Sequence, residues 1–217
     1  MTVKLYHCRD TRSMRPFWTL EELGIDYELV KMPMWPRFNY EDYLKINSLG
    51  TVPAMTDGAI TMTESAGMCQ YLVDKYGSGS SLAIRLDEPD YGEYLNWLHR
   101  SDTTLTFPQT LVLRYSTFEK PERRLPQIVD DYTQWFLSRV KCVEKALRDR
   151  DYLCGNRFTI ADIAVHYALY LARTQGLEAK FGPKTTAYLN RLMERPAFQR
   201  CLEKQADMEL PLSLIHI

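Results

Sequence analysis

The apolar positions of this chain change their period once, about a third of the way along. Before residue 77 short alternating runs trade places with helical spacing, and after it only helical spacing remains. Val3–His7 alternates and predicts a strand. Ser13 then stands where a helix cap belongs, Pro16 suits a first turn, Trp18, Leu20 and Leu23 share a face, and Gly24 predicts the stop. Tyr27–Met32 predicts a second strand, parallel to the first through a right-handed crossover. Pro33, Trp35-Pro36 and Arg37 predict a loop and Tyr40–Ile46 a short helix. Val52–Met55 and Ile60–Met62 read as strands joined by a turn at Asp57-Gly58, the strongest local hairpin signal. A helix follows from Glu64-Ser65, with Met68, Tyr71, Leu72 and Tyr76 on one face.

The order βαβαββα is the thioredoxin-like α/β arrangement, expected over 1–77. Gly77-Ser78-Gly79-Ser80-Ser81 opens a linker, 78–88. An all-α bundle is expected over 89–209. Tyr91–Tyr115 is its first helix, bent or broken at Pro108, and Leu125–Leu147 its second. A third opens after Asn156, where Thr159 and Asp162 form a capping-box-like start to an apolar run central enough to make Asp162 a buried folding residue. Thr185–Glu194 and Pro196–Lys204 close the bundle. The tail, 210–217, is apolar without a turn signal, and either packs back on the body or is a cloning remnant.

Composition narrows the function classes. With 27 basic and 28 acidic side chains in 217 residues, nothing in the charge points to nucleic acid or an anionic membrane. Five scattered cysteines without a Cys-x-x-Cys argue for reduced thiols in a cytoplasmic protein, not a disulfide framework or a metal site. No stretch predicts a signal peptide or a bilayer span.

The most informative stretch is Asn47–Gly67. Pro53 heads a strand, where it removes a ladder donor, and a cis Val52–Pro53 bond there turns the amide and carbonyl of Val52 outward to pair with an extended peptide-like ligand. The helix start at Glu64-Ser65 offers amides and a hydroxyl to an anion and a carboxylate to an ammonium. A small ligand with a carboxylate, an amine and a peptide bond fits such a place. Thr-Val-Pro-Ala, then Thr-Glu-Ser-Ala-Gly and Tyr-Leu-Val-Asp-Lys-Tyr-Gly, resembles the glutathione-binding half of cytosolic glutathione S-transferases, and the likeness runs from Val3 to about Leu202.

That resemblance implies an enzyme that binds glutathione as co-substrate, without a metal, and adds its thiolate to a hydrophobic electrophile, a detoxification chemistry, commonly as a homodimer. A free thiol near pKa ~8.5 is mostly protonated at neutral pH, so the site must favour the thiolate. Four residues near the end of the first strand are candidates for this. Thr11 falls where serine-type classes carry their serine. Ser13 follows, with a plain helix cap as its alternative. Tyr6 holds the place of the tyrosine in tyrosine-type classes, or is simply a strand residue. Cys8 implies glutathione-dependent reduction, or is a small buried apolar group. Arg12 and Arg15 either lower the thiol pKa or are solvated cations. For glutathione itself, Glu64 and Ser65 take the γ-glutamyl end or merely cap their helix, Val52 and Pro53 take the cysteinyl unit, and Arg37, with Lys45 behind it, takes the glycyl carboxylate. Met14, Trp35, Phe107, Leu111 and Tyr115 are candidates for the electrophile site, expected between the domains. Rival readings are another glutathione-using enzyme (isomerase, dehalogenase, ether cleavage or thiol-transferase) and a non-catalytic interaction module.

Overall fold

A computed structural model describes residues 2–40 and 42–208. Among them, 2–83 and 194–208 form one compact unit and Ile84–Met193 a second. The first holds a four-stranded sheet in the order β2-β1-β3-β4, with β1 Val3–His7, β2 Tyr27–Lys31, β3 Ala54–Asp57 and β4 Ile60–Met62. β1 and β2 are parallel, β3 lies antiparallel to β1, and β4 antiparallel to β3. Val3, Leu5 and His7 are buried while Lys4 is exposed and Tyr6 half-buried, the period-2 pattern expected of a strand.

Helix α1, Met14–Leu23, ends at Gly24, whose φ of 63° is the left-handed turn glycine adopts without penalty. It is buried nearly all round, because it packs against both α4, Ser65–Tyr76, and α10, Pro196–Lys204. Acidic residues late in α1 hold α10 in place. Glu22 takes Arg195 through both carboxylate oxygens, at 2.7 and 2.8 Å, and Glu21 takes Arg200 at 2.7 Å and Lys204.

Three expectations shift. The helix expected over Tyr40–Ile46 is confined to α3, Tyr43–Ile46, and the stretch expected as a loop ahead of it carries a short helix, α2 Pro36–Asn39. The third strand starts two residues later, at Ala54. The hairpin loop is Gly58-Ala59, since Asp57 pairs with Ile60. Asp57 is a buried strand residue instead of a turn residue, because Tyr71, Lys75 and Tyr76 of α4 all bond its Oδ2, at 2.8, 2.6 and 2.6 Å.

The second unit is helical. α5, Tyr91–Arg100, passes through a wide π-helical stretch, Ser101–Thr106, into α6, Phe107–Leu113, and a second wide stretch, Arg114–Phe118. The chain thus stays helical past Pro108 by widening just before it, since proline gives no N–H to the ladder. α7 is Pro126–Ala146, α8 Ile160–Thr174 and α9 Pro183–Met193. α8 is the core helix, buried from Ile160 to Leu169 without interruption. The capping box at Thr159 and Asp162 is formed. No helix among the described residues is long and apolar enough to cross a membrane. The tail, 210–217, lies outside the described residues.

Candidate functional site

The sheet register brings the singled-out residues to one edge. Tyr6, near the end of β1, pairs with Ala54 at the start of β3, and Met62, the end of β4, pairs with Met55 beside it. His7 pairs with Lys31 at the end of β2. The segments leaving or entering that edge are therefore Cys8–Ser13, Met32–Arg37, Thr51–Pro53 and Thr63–Ser65. This convergence follows from topology alone: two parallel strands and an antiparallel hairpin must open their connections on the same side.

At the helix tip, Glu64 occupies the cap position of α4, but its side chain bonds no backbone amide there. It is exposed, and its carboxylate has no hydrogen bond or ion pair among the described residues. The first-turn amides of α4 therefore keep their open donors. Ser65 is buried, and its Oγ accepts from Arg15 Nη1 at 2.9 Å. Because that oxygen takes a guanidinium proton, the hydroxyl's own proton stays available to an acceptor. Arg15 is fully buried, not the solvated cation that is one reading of it. Its position on a helix covered on both sides explains this, and no local sequence signal shows it.

Val52 lies just ahead of the β3 ladder. The Val52–Pro53 bond is cis, and the amide and carbonyl of Val52 make no hydrogen bond among the described residues. Arg37 is exposed, with its guanidinium over the Trp35 and Phe38 rings. Lys45 is exposed and paired with Asp42 at 2.5 Å.

The four candidates for thiol activation separate clearly. Thr11 is almost buried, its hydroxyl 2.8 Å from the Cys8 carbonyl and 2.7 Å from the Ser13 hydroxyl. Ser13 is fully buried and makes no side-chain cap to α1; its Oγ lies 2.7 Å from His7 Nδ1. Tyr6 points from the opposite face of β1 and packs against Tyr43, ring centroids 5.8 Å apart. Cys8 is buried, lends its S–H to the Pro33 carbonyl at 3.2 Å, and has its thiol pushed up by burial to about 12. A neutral thiol held this way is no nucleophile.

Sequence reasoning missed three members of this cluster. His7 is fully buried, with Nε2 3.1 Å from Gln205 Oε1, and burial lowers its pKa to about 4. Gln205, just past α10, donates from Nε2 to Asp10 at 2.7 Å and accepts the Asp10 amide at 3.2 Å. Residues 198 positions apart leave no local pattern to read. Only the polar residue inside a buried strand face was a signal.

Of the electrophile candidates, Met14 is only 3% exposed, and Trp35 is half-buried with φ of 61°. In the second unit Phe107 is exposed, while Leu111 and Tyr115 are half-buried along the same helical run. Among the described residues no cluster of three or more His, Cys, Asp or Glu side chains is placed to hold a metal ion.

Comparison with known proteins identifies the family. The model of the glutathione S-transferase N-terminal domain matches residues 5–81, and that of the C-terminal domain matches 130–196. Glutathione S-transferase GstA of Escherichia coli O157:H7 is 29% identical over 212 residues, covering 94% of this chain and 98% of the relative. Glutathione S-transferase 3 of Schizosaccharomyces pombe is 27% identical, over 97% of this chain and 90% of the relative. Among solved structures, a sphingomonad glutathione S-transferase complexed with glutathione superposes with a TM-score of 0.82 at 25% identity, covering 94% of this chain and 99% of that one. The chain belongs to the cytosolic glutathione S-transferase superfamily and is an enzyme of that family.

Proposed function

We propose that this enzyme adds the thiolate of glutathione to a small hydrophobic electrophile, by substitution or conjugate addition. The observation that carries the reading is the unpartnered Glu64 carboxylate at an uncapped helix tip, beside a Ser65 hydroxyl whose oxygen is already taken by Arg15. An exposed carboxylate, open amides and a donor hydroxyl together suit an amino acid's ammonium and carboxylate, the two groups at the γ-glutamyl end of glutathione. Arg15 lies behind Ser65 as a buried positive charge and favours the ligand's carboxylate. The open backbone of Val52 supports antiparallel pairing to the cysteinyl unit, held in place by Pro53.

Thr11 is the hydroxyl we assign to the sulfur, with Ser13 behind it. The glycyl carboxylate goes to Arg37, whose guanidinium is held over two rings and bonds no carboxylate among the described residues. The site supplies thiolate stabilisation and proximity, and no step needs a metal. Reduction of disulfides through Cys8 is disfavoured, since its thiol is buried and raised to about 12. A cytoplasmic homodimer is the assembly we infer for this family member.

Isothermal calorimetry with glutathione, followed by conjugation assays over a panel of electrophiles, tests the reading. Binding lost in Glu64→Ala and Ser65→Ala is the expected result. Failure of the native protein to bind glutathione overturns it.

A further inference from the structure

The hydroxyl pair assigned to the sulfur is not isolated: it is the outer end of a buried chain of hydrogen bonds that terminates in a carboxylate. The direction of the protons between that carboxylate and Ser13 follows from its far end. Asp10 Oδ1 can only accept, so Gln205 presents its Nε2–H to it at 2.7 Å and its Oε1 to His7. The Asp10 backbone amide, 3.2 Å from the same Oε1, fixes the amide the same way round. Gln205 Oε1 therefore takes the proton of His7 Nε2 at 3.1 Å, which leaves His7 Nδ1 as a lone pair. Ser13 Oγ, 2.7 Å away, must donate to that lone pair. Its single proton is then spent, so the Thr11 proton serves two acceptors, the Cys8 carbonyl at 2.8 Å and Ser13 Oγ at 2.7 Å. Thr11 thus presents lone pairs, not its proton, to any group outside. The free enzyme holds an acceptor-ended chain, whereas a thiolate needs a donor.

We propose that the proton of the glutathione thiol passes inward along Thr11 and Ser13 to His7, which makes His7 the positioning residue and proton store of thiol activation. This rests on the glutathione reading above and on Thr11 facing the sulfur. The step balances without a co-reactant. The S–H bond breaks and its proton bonds Thr11 Oγ1; the proton Thr11 held moves to Ser13 Oγ; the proton Ser13 held moves to His7 Nδ1. Three bonds to hydrogen break and three form, leaving a thiolate and an imidazolium. Every hydrogen bond between His7 and the sulfur then points the other way, so that Thr11 donates to the sulfur it has just relieved of a proton. Gln205 keeps its place and accepts from the imidazolium Nε2–H, with Asp10 bonded behind it.

The surroundings define the balance. Phe17 of α1 lies edge-on to the imidazole, centroids 5.0 Å apart, and brings no charge. Lys31 at the end of β2 opposes the imidazolium, and its ammonium is itself paired with Asp207 at 2.6 Å. Burial keeps His7 neutral in the free enzyme, so its proton must be balanced by the thiolate at the outer end of the chain.

The test is nitrogen-15 NMR of the histidine side chains in the full-length protein, with His7 assigned from the signal missing in His7→Gln. In the free enzyme His7 is expected as the neutral Nε2–H form. Saturating glutathione at neutral pH should convert it to the doubly protonated form while thiolate absorbance develops, and S-methylglutathione, which has no thiol proton, should leave it neutral. In Ser13→Ala the chain is cut, so glutathione should still bind but His7 should stay neutral, with at least a tenfold smaller thiolate fraction. Glutathione bound to the native enzyme with His7 unchanged, whether as thiolate or thiol, overturns the relay while leaving the glutathione reading intact. No binding at all overturns the glutathione reading and the relay with it.

Discussion

Two polar clusters, one in each unit, each hold an aspartate and a threonine but differ in how far their hydrogen bonds are used up within the protein. In the second unit Asp162 is fully buried and takes the Thr159 amide at 2.8 Å, the Thr159 hydroxyl at 3.3 Å, the Leu153 amide at 3.0 Å and the Tyr188 hydroxyl at 2.8 Å. Every partner is internal and the cluster is closed. At the sheet edge of the first unit, the bonds run from Asp10 through Gln205, His7 and Ser13 to Thr11 and the Cys8 carbonyl, while Glu64 and the Val52 backbone have no partner among the described residues. A closed cluster commits its hydrogen bonds to folding, while an open one keeps capacity for something that arrives later. That difference, more than burial or residue type, separates a structural carboxylate from a binding one.

The comparison breaks most visibly if Asp162 is removed. Asp162→Ala strips two buried amides and a buried tyrosine hydroxyl of their acceptor and deletes a helix cap, so it should cost about 3–5 kcal/mol of stability. Urea unfolding measures this, and a loss below about 1 kcal/mol would mean that water or a rearranged loop replaces the carboxylate. At the open cluster the same kind of cut should fall on chemistry. Thr11→Ala should slow turnover by roughly 10–100-fold, the equivalent of one charge-assisted hydrogen bond of about 1.5–3 kcal/mol, with a smaller change in glutathione affinity. Thr11→Ser should restore most of the rate. Equal losses in rate and affinity would instead make Thr11 a binding residue.

The closed cluster was legible in the sequence because its logic is local. Thr159 and Asp162 stand three apart ahead of an apolar run, and a capping box is a one-turn device. The hairpin and the Glu64-Ser65 helix start were legible for the same reason. What Ser65 does was not, because Arg15 reaches it from fifty residues away on a helix buried on two sides. His7 was passed over because its partners Gln205 and Ser13 meet only after α10 has packed on α1. The helix expected over Tyr40–Ile46 starts only at Tyr43 because Asp42 ahead of it takes a left-handed φ of 66°.

Acid should sharpen the contrast. His7 has its folded pKa lowered to about 4, so between the ordinary value of 6.5 and 4 the unfolded chain holds a proton that the folded one does not. Its contribution to stability is therefore present above pH 6.5 and is lost as pH falls toward 4, by up to about 1.4 kcal/mol per pH unit. His166 in α8, lowered to about 3 by burial, acts in the same direction. Asp162 acts in the opposite direction. Burial raises its pKa to about 6, so between 3.8 and 6 the folded chain is the one holding the extra proton, and stability rises as pH falls through that window. Denaturation curves from pH 7 to 4 should show a shallower acid loss in His7→Phe than in the native protein, and a steeper one in Asp162→Asn. An unchanged slope in His7→Phe would mean that His7 takes up its proton as readily in the folded enzyme as in the unfolded chain.

The smallest effect is the most diagnostic of an open cluster. Glu64→Gln keeps the shape of the side chain and removes only its charge, and the Glu64 carboxylate has no hydrogen bond or ion pair among the described residues. Stability should therefore stay within about 0.5 kcal/mol, as for an ordinary surface substitution. Affinity for glutathione should nevertheless fall about tenfold, since a neutral amide cannot balance the ligand's ammonium. Calorimetry and thermal unfolding on one sample separate the two quantities. A variant that loses stability and affinity together would show Glu64 acting as a cap after all, and the edge of the sheet would then be closed in the same sense as Asp162.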